Sequence, residues 1–292
     1  MPDNNSPLVS IVINCYNGEL YLKETIDCVL HQTYKNWEII FWDNMSSDNS
    51  SKIVKSYADK RIKYFKSCEH TRLGKARNEA IKYASGEWCA FLDCDDLWTV
   101  DKLEKQISMI KHNNIGLVYG GISVFSSGIK HNAIWSKWMI KSKNNLTNNL
   151  PEGEVFDKLL QYNFIPLVSA IFRRDLFNKI GGISEHMEIA EDYDLFVKLS
   201  HVTKVCAVQE VVGYYRVHED NLSIGKQEQD FLETLEIVSR YLPLHSAIKA
   251  LKIHHSIRSI QEIREGKLFK SLFRLFSKGS FTSLALFLLK KY

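Results

Sequence analysis

The sequence predicts an α/β fold, in which a mostly parallel sheet is flanked by helices and followed by a helical C-terminal extension. Over the first 120 residues, short apolar runs alternate with segments whose apolar residues recur at helical spacing. Each apolar run leads directly into a polar loop or turn. Beyond about residue 227 the helical spacing continues to the end of the chain. Alternation of this kind is typical of parallel strands joined by crossover helices.

The first half of the chain supplies the predicted sheet. Strands are predicted at residues 8–13, 37–42, 62–65 and 88–92. Helices are predicted at residues 22–30, 53–57, 73–84 and 100–110, and Gly86 closes the third of them. Ligands of open α/β sheets bind beyond the carboxyl ends of the strands. The polar loops at 14–18, 43–50 and 93–96 should therefore meet in one cleft.

The second half is less regular. Residues 131–153 are rich in Asn and Lys, and we interpret them as a loop or flap over the cleft. Regular structure resumes near residue 155. Strands are then predicted at 169–172 and 211–217, and helices at 176–180 and 192–199.

Composition restricts the function classes. A chain of 292 residues with 45% hydrophobic and 25% charged residues suits a soluble globular protein with one large domain or two small ones. A net charge of +4 is too small to indicate a dedicated nucleic-acid binder. The six cysteines lack metal-binding spacing and indicate reduced thiols. Without an apolar leader or a long apolar run, we expect a cytoplasmic protein.

Three carboxylates, Asp93, Asp95 and Asp96, follow the fourth predicted strand. They repel one another unless a cation or hydrogen-bond donors compensate. Their hard oxygen atoms favour Mg²⁺ or Mn²⁺, and such a metal neutralises the charge of a diphosphate leaving group. The alternative is that Asp95 or Asp96 caps the helix that begins near Thr99.

Asp43 ends the second predicted strand and begins the polar loop at 43–50. A carboxylate in this place can accept hydrogen bonds from a nucleobase or from ribose hydroxyls. The alternative is an ordinary turn in which Ser47 or Asp48 caps the next helix.

Two further pairs suggest catalytic chemistry. Glu191 and Asp192 open a predicted helix, whose positive end favours an ionised carboxylate. Asp192 is therefore the candidate general base, with Glu191 as the second candidate. Arg216 and His218 alternate on a predicted strand, would face the same side, and would form a basic pair aimed at a diphosphate. The alternatives are complementarity to the helix dipole for the acids and an ordinary surface position for His218.

Together these motifs resemble those of family 2 glycosyltransferases with the GT-A fold, of the inverting bacterial type. The resembling strings are VSIVINCYN at 9–17, DNMSSDNS at 43–50, GKARN at 74–78, FLDCDD at 91–96, EDYDL at 191–195 and YRVH at 215–218. Their order and spacing cover about residues 8–225. The chain departs from the family pattern at Asn44-Met45, where Asp-Gly is frequent, and in its first loop, which lacks proline.

The resemblance implies roles in donor binding. Asn17 and Asp43 would hold uracil or another base, Arg77 would lie against the nucleotide, and Asp93 would face the ribose and the sugar. The remaining residues expected to line the nucleotide-sugar site are Asn14, Tyr16, Arg72, Lys75, Cys94 and Arg216.

The resemblance also implies the reaction. Asp95 would ligate Mn²⁺ or Mg²⁺ at the diphosphate, and His218 would complete the metal ligands or approach the diphosphate. Asp192 would be the general base, with Glu191 beside it. A sugar would pass with inversion from a nucleotide-diphosphate sugar, in particular a UDP-sugar, to a hydroxyl of a glycan or lipid-linked acceptor. Such enzymes build cell-surface polysaccharide, including lipopolysaccharide.

The implied catalytic domain comprises residues 1–225, with a nucleotide-binding half at about 1–120 and an acceptor half at about 121–225. Residues 226–292 form the helical extension. Its last part, 267–291, interleaves Leu and Phe with Lys and Arg, which predicts a basic amphipathic segment on the cytoplasmic face of the inner membrane. The alternatives are helices packed on the catalytic domain or a homodimer interface.

Two other function classes stay open. A sugar nucleotidyltransferase also combines an α/β sheet with acidic metal ligands, but it normally carries a Gly-rich basic loop where this chain has residues 14–18. Release of pyrophosphate from a nucleoside triphosphate would identify that activity. A non-catalytic nucleotide-sugar-binding module would not need Asp192.

Overall fold

The computed structural model describes residues 6–110, 115–126, 149–267, 270, 271 and 274. The chain divides into two compact units. One contains the residues up to Val155 together with Phe164–Ile224, and the other contains Phe156–Asn163 and the residues from Gly225 onward. The sequence analysis assigns Phe156–Asn163 to the acceptor half, whereas in the structure this segment belongs with the C-terminal helices. Every candidate site residue belongs to the first unit.

The first unit is built on a mixed sheet of eight strands in its described part. The strands are β1 (Val9–Cys15), β2 (Trp37–Asp43), β3 (Ile62–Lys66), β4 (Trp88–Phe91), β5 (Leu97–Trp98), β6 (Ile115–Ser126), β7 (Ile171–Arg173) and β8 (Lys204–Val217). Their order across the sheet is β3-β2-β1-β4-β7-β6-β8-β5. The first four in this order are parallel, and β7 runs antiparallel between β4 and β6. The predicted parallel arrangement therefore holds for β1 to β4, whereas β5 in the same half pairs antiparallel with β8.

Helices flank this sheet or form the second unit. Those of the first unit are α1 (Leu22–Leu30), α2 (Ser50–Lys55), α3 (Leu73–Ile81), α4 (Lys102–Met109), α6 (Arg174–Lys179) and α7 (Glu191–Val202), with a short 3-10 helix at Leu167–Ser169. Those of the second unit are α5 (Phe156–Gln161), α8 (Gln227–Ser239) and α9 (His245–Arg264). None of the helices in the described ranges is long and apolar enough to cross a bilayer.

The carboxyl ends of β1 and β2 determine where the loops of the candidate site lie. Both strands are buried at every position, which explains their continuous apolar runs. Their parallel register ends with Asn14 opposite Trp42 and Cys15 opposite Asp43. Because the two strands stop at the same level, the loops that follow them lie side by side.

The sequence pattern finds the strands of the first half but misses several extensions. β5 is too short to show alternation, and it exists because Leu97 and Trp98 pair with β8. β6 is a further strand that no prediction covers, and Gly120 lets β8 approach it closely: a Cβ there would lie 2.7 Å from a methyl carbon of Val212. The predicted flap at 131–153 lies mostly outside the described residues.

Candidate active site

A buried arginine joins two of the predicted acidic groups. Arg77 in α3 is 1% exposed. Its Nη2 donates to Oδ1 of Asp93 at 2.6 Å, and its Nη1 donates to Oε1 of Glu191 at 2.9 Å. Asp93 follows β4 and Glu191 is the first residue of α7. One guanidinium group therefore holds the end of a strand against the start of a helix.

Glu191 lies in an unusual environment for a carboxyl group. Burial raises the pKa of Glu191 to about 7; the positive charge of Arg77 opposes this shift, and the negative charge of Asp192 adds to it. The Oε2 atom of Glu191 is buried and has no hydrogen-bond partner among the described residues. Asp192 is less buried than Glu191. Of the two candidate bases, Glu191 is thus fixed to Arg77, and Asp192 is the more accessible.

Asp95 and His218 contact each other. The Nε2 atom of His218 lies 2.8 Å from Oδ2 of Asp95, and the His218 ring centroid is 5.1 Å from that of Tyr21. Across the described part of the chain, no group of three or more His, Cys, Asp or Glu side chains forms a complete set of metal ligands. Two atoms that bind one octahedral ion at right angles lie about 3 Å apart. The 2.8 Å separation in the Asp95–His218 pair is compatible with two ligands of one divalent ion.

Arg216 is buried rather than open to the cleft. Its guanidinium group lies between the rings of Tyr21 and Phe125, with centroid distances of 4.3 Å and 4.6 Å. The Nε atom donates to the carbonyl oxygen of Asp95 at 2.7 Å, and Nη2 pairs with Glu24 at 2.7 Å. The side chain is 4% exposed. These contacts favour a role in holding the Asp95 backbone over the predicted direct contact with a diphosphate.

Asp96 also connects the end of β8 to the turn after β4. Its Oδ1 accepts a hydrogen bond from the backbone N–H of Arg216 at 2.8 Å, and its carbonyl oxygen accepts one from Thr25 at 3.0 Å. α4 begins at Lys102 with Asp101 at its N-cap position, so neither Asp95 nor Asp96 caps that helix. Asp96 instead fixes the end of β8 to the turn that carries Asp95.

Asp43 is completely buried. Its Oδ1 accepts a hydrogen bond from the backbone N–H of Ser46 at 2.7 Å, and its Oδ2 accepts one from the hydroxyl of Tyr64 at 2.6 Å. Both oxygen atoms already have donors. The structure therefore favours a role for Asp43 in shaping the loop after β2, in place of the predicted direct contact with a base.

The loop after β1 presents an aromatic surface. Tyr16 is 52% exposed, and its ring centroid lies 4.2 Å from that of His70. Asn17 adopts a positive φ of 53°, and its side-chain oxygen accepts a hydrogen bond from the backbone N–H of Ser47 at 2.8 Å. Its own backbone N–H donates to Ser46 at 3.0 Å. These bonds join the loops after β1 and β2 and leave the Tyr16 ring open to a planar ligand.

Asn14 lies just below this loop. Its side-chain Oδ1 and Nδ2 atoms are buried and have no hydrogen-bond partners among the described residues. An unpaired buried amide costs about 1–3 kcal/mol. A bound ligand with polar groups would satisfy Asn14, which supports the predicted place of this residue in the donor site.

Arg72 and Lys75, also predicted in the donor site, make surface ion pairs. Arg72 donates to the carbonyl oxygen of His186 at 2.5 Å and pairs with Glu188 at 3.2 Å. Lys75 pairs with Glu69 at 2.8 Å. Their described contacts do not connect them to the buried group around Arg77.

Cys94 lies between Asp93 and Asp95 and meets a second cysteine. A hydrogen bond between the thiols of Cys94 and Cys15 lowers the pKa of Cys15 and raises that of Cys94. The carbonyl oxygen of Cys94 accepts a hydrogen bond from Thr25 at 3.0 Å. The sequence predicts Cys94 in the donor site but gives no sign of its contact with Cys15.

A sequence model of one protein family, described as Glycosyl transferase family 2, matches residues 10–181. The chain belongs to glycosyl transferase family 2. This glycosyltransferase is 34% identical over 221 residues to the UDP-Glc:alpha-D-GlcNAc-diphosphoundecaprenol beta-1,3-glucosyltransferase WfgD of Escherichia coli. The alignment covers 75% of this chain and 81% of WfgD. The predicted family and enzyme class are confirmed.

Solved structures resemble this glycosyltransferase in fold. The S. aureus TarS fragment 1-349 in complex with UDP-GlcNAc superposes with a TM-score of 0.67 at 18% identity, over 90% of this chain and 79% of that fragment. The mannosyltransferase PcManGT of Pyrobaculum calidifontis, in complex with GDP-Man and Mn²⁺, gives 0.62 at 16% identity, over 99% of this chain and 87% of PcManGT. The predicted GT-A-like fold is thereby confirmed.

Several residues that build this glycosyltransferase site were missed by the sequence analysis. Tyr21 lies just before α1, and Glu24 and Thr25 lie on it. Tyr64 lies on β3, and His70 lies in the loop that follows β3. On α1 the helical spacing identifies the apolar face around Leu22 and Ile26. From that spacing alone, the polar residues Glu24 and Thr25 would be expected to face solvent. Their partners on β8 and after β4 are distant in sequence, so no local pattern marks them.

Proposed function

We propose that this glycosyltransferase transfers a sugar, with inversion, from a UDP-sugar to a hydroxyl of a lipid-linked sugar during synthesis of cell-surface polysaccharide. One observation carries the proposal. Arg77 joins Asp93 to Glu191 at the carboxyl end of the parallel strands, next to the contacting pair Asp95 and His218. These groups bring a candidate metal site, a buried cation and a candidate base together.

The donor occupies the loops after β1 and β2. The exposed Tyr16 ring stacks on the base, and the unpaired amide of Asn14 donates to or accepts from the nucleotide. Asp43 holds the loop after β2 through Ser46 and Tyr64 rather than touching the base. Asp93, which is one-third exposed, faces the ribose and the sugar.

Asp95 and His218 hold a divalent cation. The mixed oxygen and nitrogen ligands fit Mn²⁺ better than Mg²⁺, which prefers oxygen alone. When bound, the ion neutralises the negative charge of the departing diphosphate. Arg216 stabilises the position of Asp95 by donating a hydrogen bond to its carbonyl oxygen.

Asp192 acts as the general base. The acceptor oxygen forms a bond to the anomeric carbon while the bond from that carbon to the diphosphate oxygen breaks, and the hydroxyl proton passes to Asp192. A single displacement inverts the anomeric centre, and positive charge develops on the sugar in the transition state. Asp192 lies in the first turn of α7, where the positive end of the helix dipole favours a negative charge. Glu191 positions Arg77 rather than taking the proton.

The donor and acceptor classes are supported by the relatives. The name of WfgD specifies UDP-Glc as donor and a sugar on diphosphoundecaprenol as acceptor, and TarS was crystallised with UDP-GlcNAc. Both are UDP-sugars, so uracil is the base proposed here. The membrane contact predicted for residues 267–291 falls almost wholly outside the described residues, and it would bring the enzyme to such an acceptor.

Thermal-shift measurements with UDP-, GDP- and dTDP-sugars, with and without Mn²⁺, test the donor. We expect stabilisation by a UDP-sugar that requires Mn²⁺. Transfer to a sugar on diphosphoundecaprenol tests the reaction. Asp192→Ala should keep the donor-induced shift and lose transfer by about 10²–10⁴-fold.

The matched control is Asp175→Ala, which removes an exposed carboxylate of α6 that pairs with Arg173. It should keep both donor binding and transfer. Full transfer by Asp192→Ala would remove Asp192 from the role of base. Release of pyrophosphate from UTP would identify a nucleotidyltransferase instead.

A further inference from the structure

Cys15 and Cys94 both lie at the carboxyl end of two neighbouring parallel strands. β1 pairs with β4 in a register that ends with Val12 opposite Phe91, and the backbone N–H of Leu92 continues the pairing by donating to the carbonyl oxygen of Val12 at 3.0 Å. Cys15 is the last residue of β1, and Cys94 lies in the turn that follows β4. The fold therefore brings together two thiols that are far apart in the chain.

The sulfur atoms themselves flank one point. A Cβ added to Gly18 would lie 2.8 Å from the Sγ of Cys15 and 2.8 Å from the Sγ of Cys94. The interaction between the two thiols lowers the pKa of Cys15 and raises that of Cys94. The proposed transfer reaction uses neither sulfur atom, so both thiols are available for other chemistry.

A disulfide between the two residues requires the sulfur atoms to approach to about 2.05 Å. Both sulfur atoms already lie beside the same point at Gly18. The main adjustment is thus a closer approach of the two side chains.

We propose that Cys15 and Cys94 are a site of reversible oxidation, at which a hydroperoxide converts the two thiols into a disulfide that closes the donor site. One thiol attacks the peroxide, takes one oxygen as a sulfenic acid and releases water, or an alcohol from an organic peroxide. The second thiol attacks that sulfur, forms the S–S bond and releases water. The two thiols are oxidised by two electrons, and the peroxide is reduced. A small thiol reverses the bond by exchange.

The consequence for activity rests on the proposed function. Cys94 lies between Asp93 and Asp95, so pulling its sulfur toward Cys15 shifts both carboxylates. Displacements of about 1 Å in an active site reduce rates by on the order of 100-fold. A donor bound over this turn should in return hinder access of peroxide to the thiols.

The experiment uses the full-length, fully reduced protein and hydrogen peroxide. Peptide mapping by mass spectrometry without reductant should find a Cys15–Cys94 linked peptide that disappears after dithiothreitol. Cys15→Ser and Cys94→Ser should each abolish it. Cys68→Ser removes an exposed thiol elsewhere and should leave the linked peptide intact. UDP with Mn²⁺ should slow its formation.

The oxidised protein should lose the thermal shift caused by UDP and Mn²⁺ and regain it after reduction. The inference is overturned if Cys15 and Cys94 stay reduced at a peroxide dose that oxidises Cys68, or if the linked protein keeps the full shift. Mass spectrometry reports the bond independently of donor binding. A reduced protein that shows no shift with any nucleotide sugar would contradict the proposed function and leave the result on the disulfide standing.

Discussion

The Nε2 atom of His218 lies 2.8 Å from Oδ2 of Asp95, although 123 positions separate the two residues in the chain. β5 follows Asp95 directly and pairs with β8, which ends just before His218. Two hydrogen bonds between side chains and backbone then join the two segments: the Asp96 carboxylate accepts from the Arg216 N–H, and the Arg216 guanidinium donates to the carbonyl oxygen of Asp95. The contact is thus a product of the sheet and requires no local sequence motif.

If the pair binds a divalent ion, His218→Ala should raise the Mn²⁺ concentration needed for half-maximal thermal stabilisation by the donor. We expect an increase of at least about 10-fold, the low end for loss of a group that supports a metal site. The donor-induced thermal shift at varied Mn²⁺ measures it. His245→Ala, an exposed histidine in the second unit, is the control. Identical Mn²⁺ dependence in both variants would contradict the assignment.

Replacement of Arg216 by lysine distinguishes positioning from ligand contact. Lysine keeps the charge but lacks the planar fork that contacts Asp95 and Glu24. Loss of a charged hydrogen bond costs about 1.5–3 kcal/mol, so Arg216→Lys should lower kcat by roughly 10–100-fold. Steady-state kinetics at saturating Mn²⁺ test this. A higher donor KM with unchanged kcat would show instead that Arg216 binds the donor directly.

Glu191 makes stability depend on pH. Its carboxyl group ionises at about pH 7 in the folded protein and near 4.5 when unfolded, so the folded state holds more protons between these values. As pH rises from 4.5 to 7, the free energy of unfolding should therefore fall by up to about 1.4 kcal/mol per pH unit relative to Glu191→Gln, and stay level above 7. Urea unfolding of both proteins at several pH values measures the difference. Parallel curves would refute it.

Much of this site follows from the sequence, because buried parallel strands appear as apolar runs and the acids stand directly after them. Asp93 and Asp95 are found in this way. What the sequence does not contain is the partner of each polar group. Asp43 stands at a strand end like Asp93, yet Ser46 and Tyr64 satisfy it from within the protein.

Two arginines of the site also show that the sequence does not reveal the partner of a polar group. Arg77 and Arg216 are both predicted against the donor, and both are buried in the structure. The Arg77 contact with Glu191 spans 114 positions, and the Arg216 contact with Glu24 spans 192. Pairings over such separations depend on the complete fold and leave no local periodicity or spacing for sequence analysis to detect.

Membrane contact can be tested by a protein that ends after Arg274. Arg274 is kept in this variant because it donates to Glu262 at 2.8 Å, and Glu262 is 0% exposed. A shorter protein without Arg274 would leave this buried carboxylate without that partner. The variant lacks residues 275–292, including Lys290 and Lys291. Each basic residue near an anionic membrane contributes about 1 kcal/mol. We expect loss of cosedimentation with phosphatidylglycerol vesicles and an unchanged thermal shift with donor; undiminished cosedimentation would disprove the membrane role.

Helix α5 restricts how this protein can be divided. It lies between stretches of chain that build the sheet, but it belongs to the unit of C-terminal helices, where its Phe156 ring centroid lies 4.9 Å from that of Tyr241 and the Leu160 carbonyl oxygen lies 2.8 Å from Nε2 of His254. A fragment that stops at residue 224 would expose Leu159 and Leu160, at about 1.5–3 kcal/mol each. Because the chain of the sheet-bearing unit is interrupted by α5, no single cleavage point separates the two units, and expression of the transferase domain should retain the C-terminal helices.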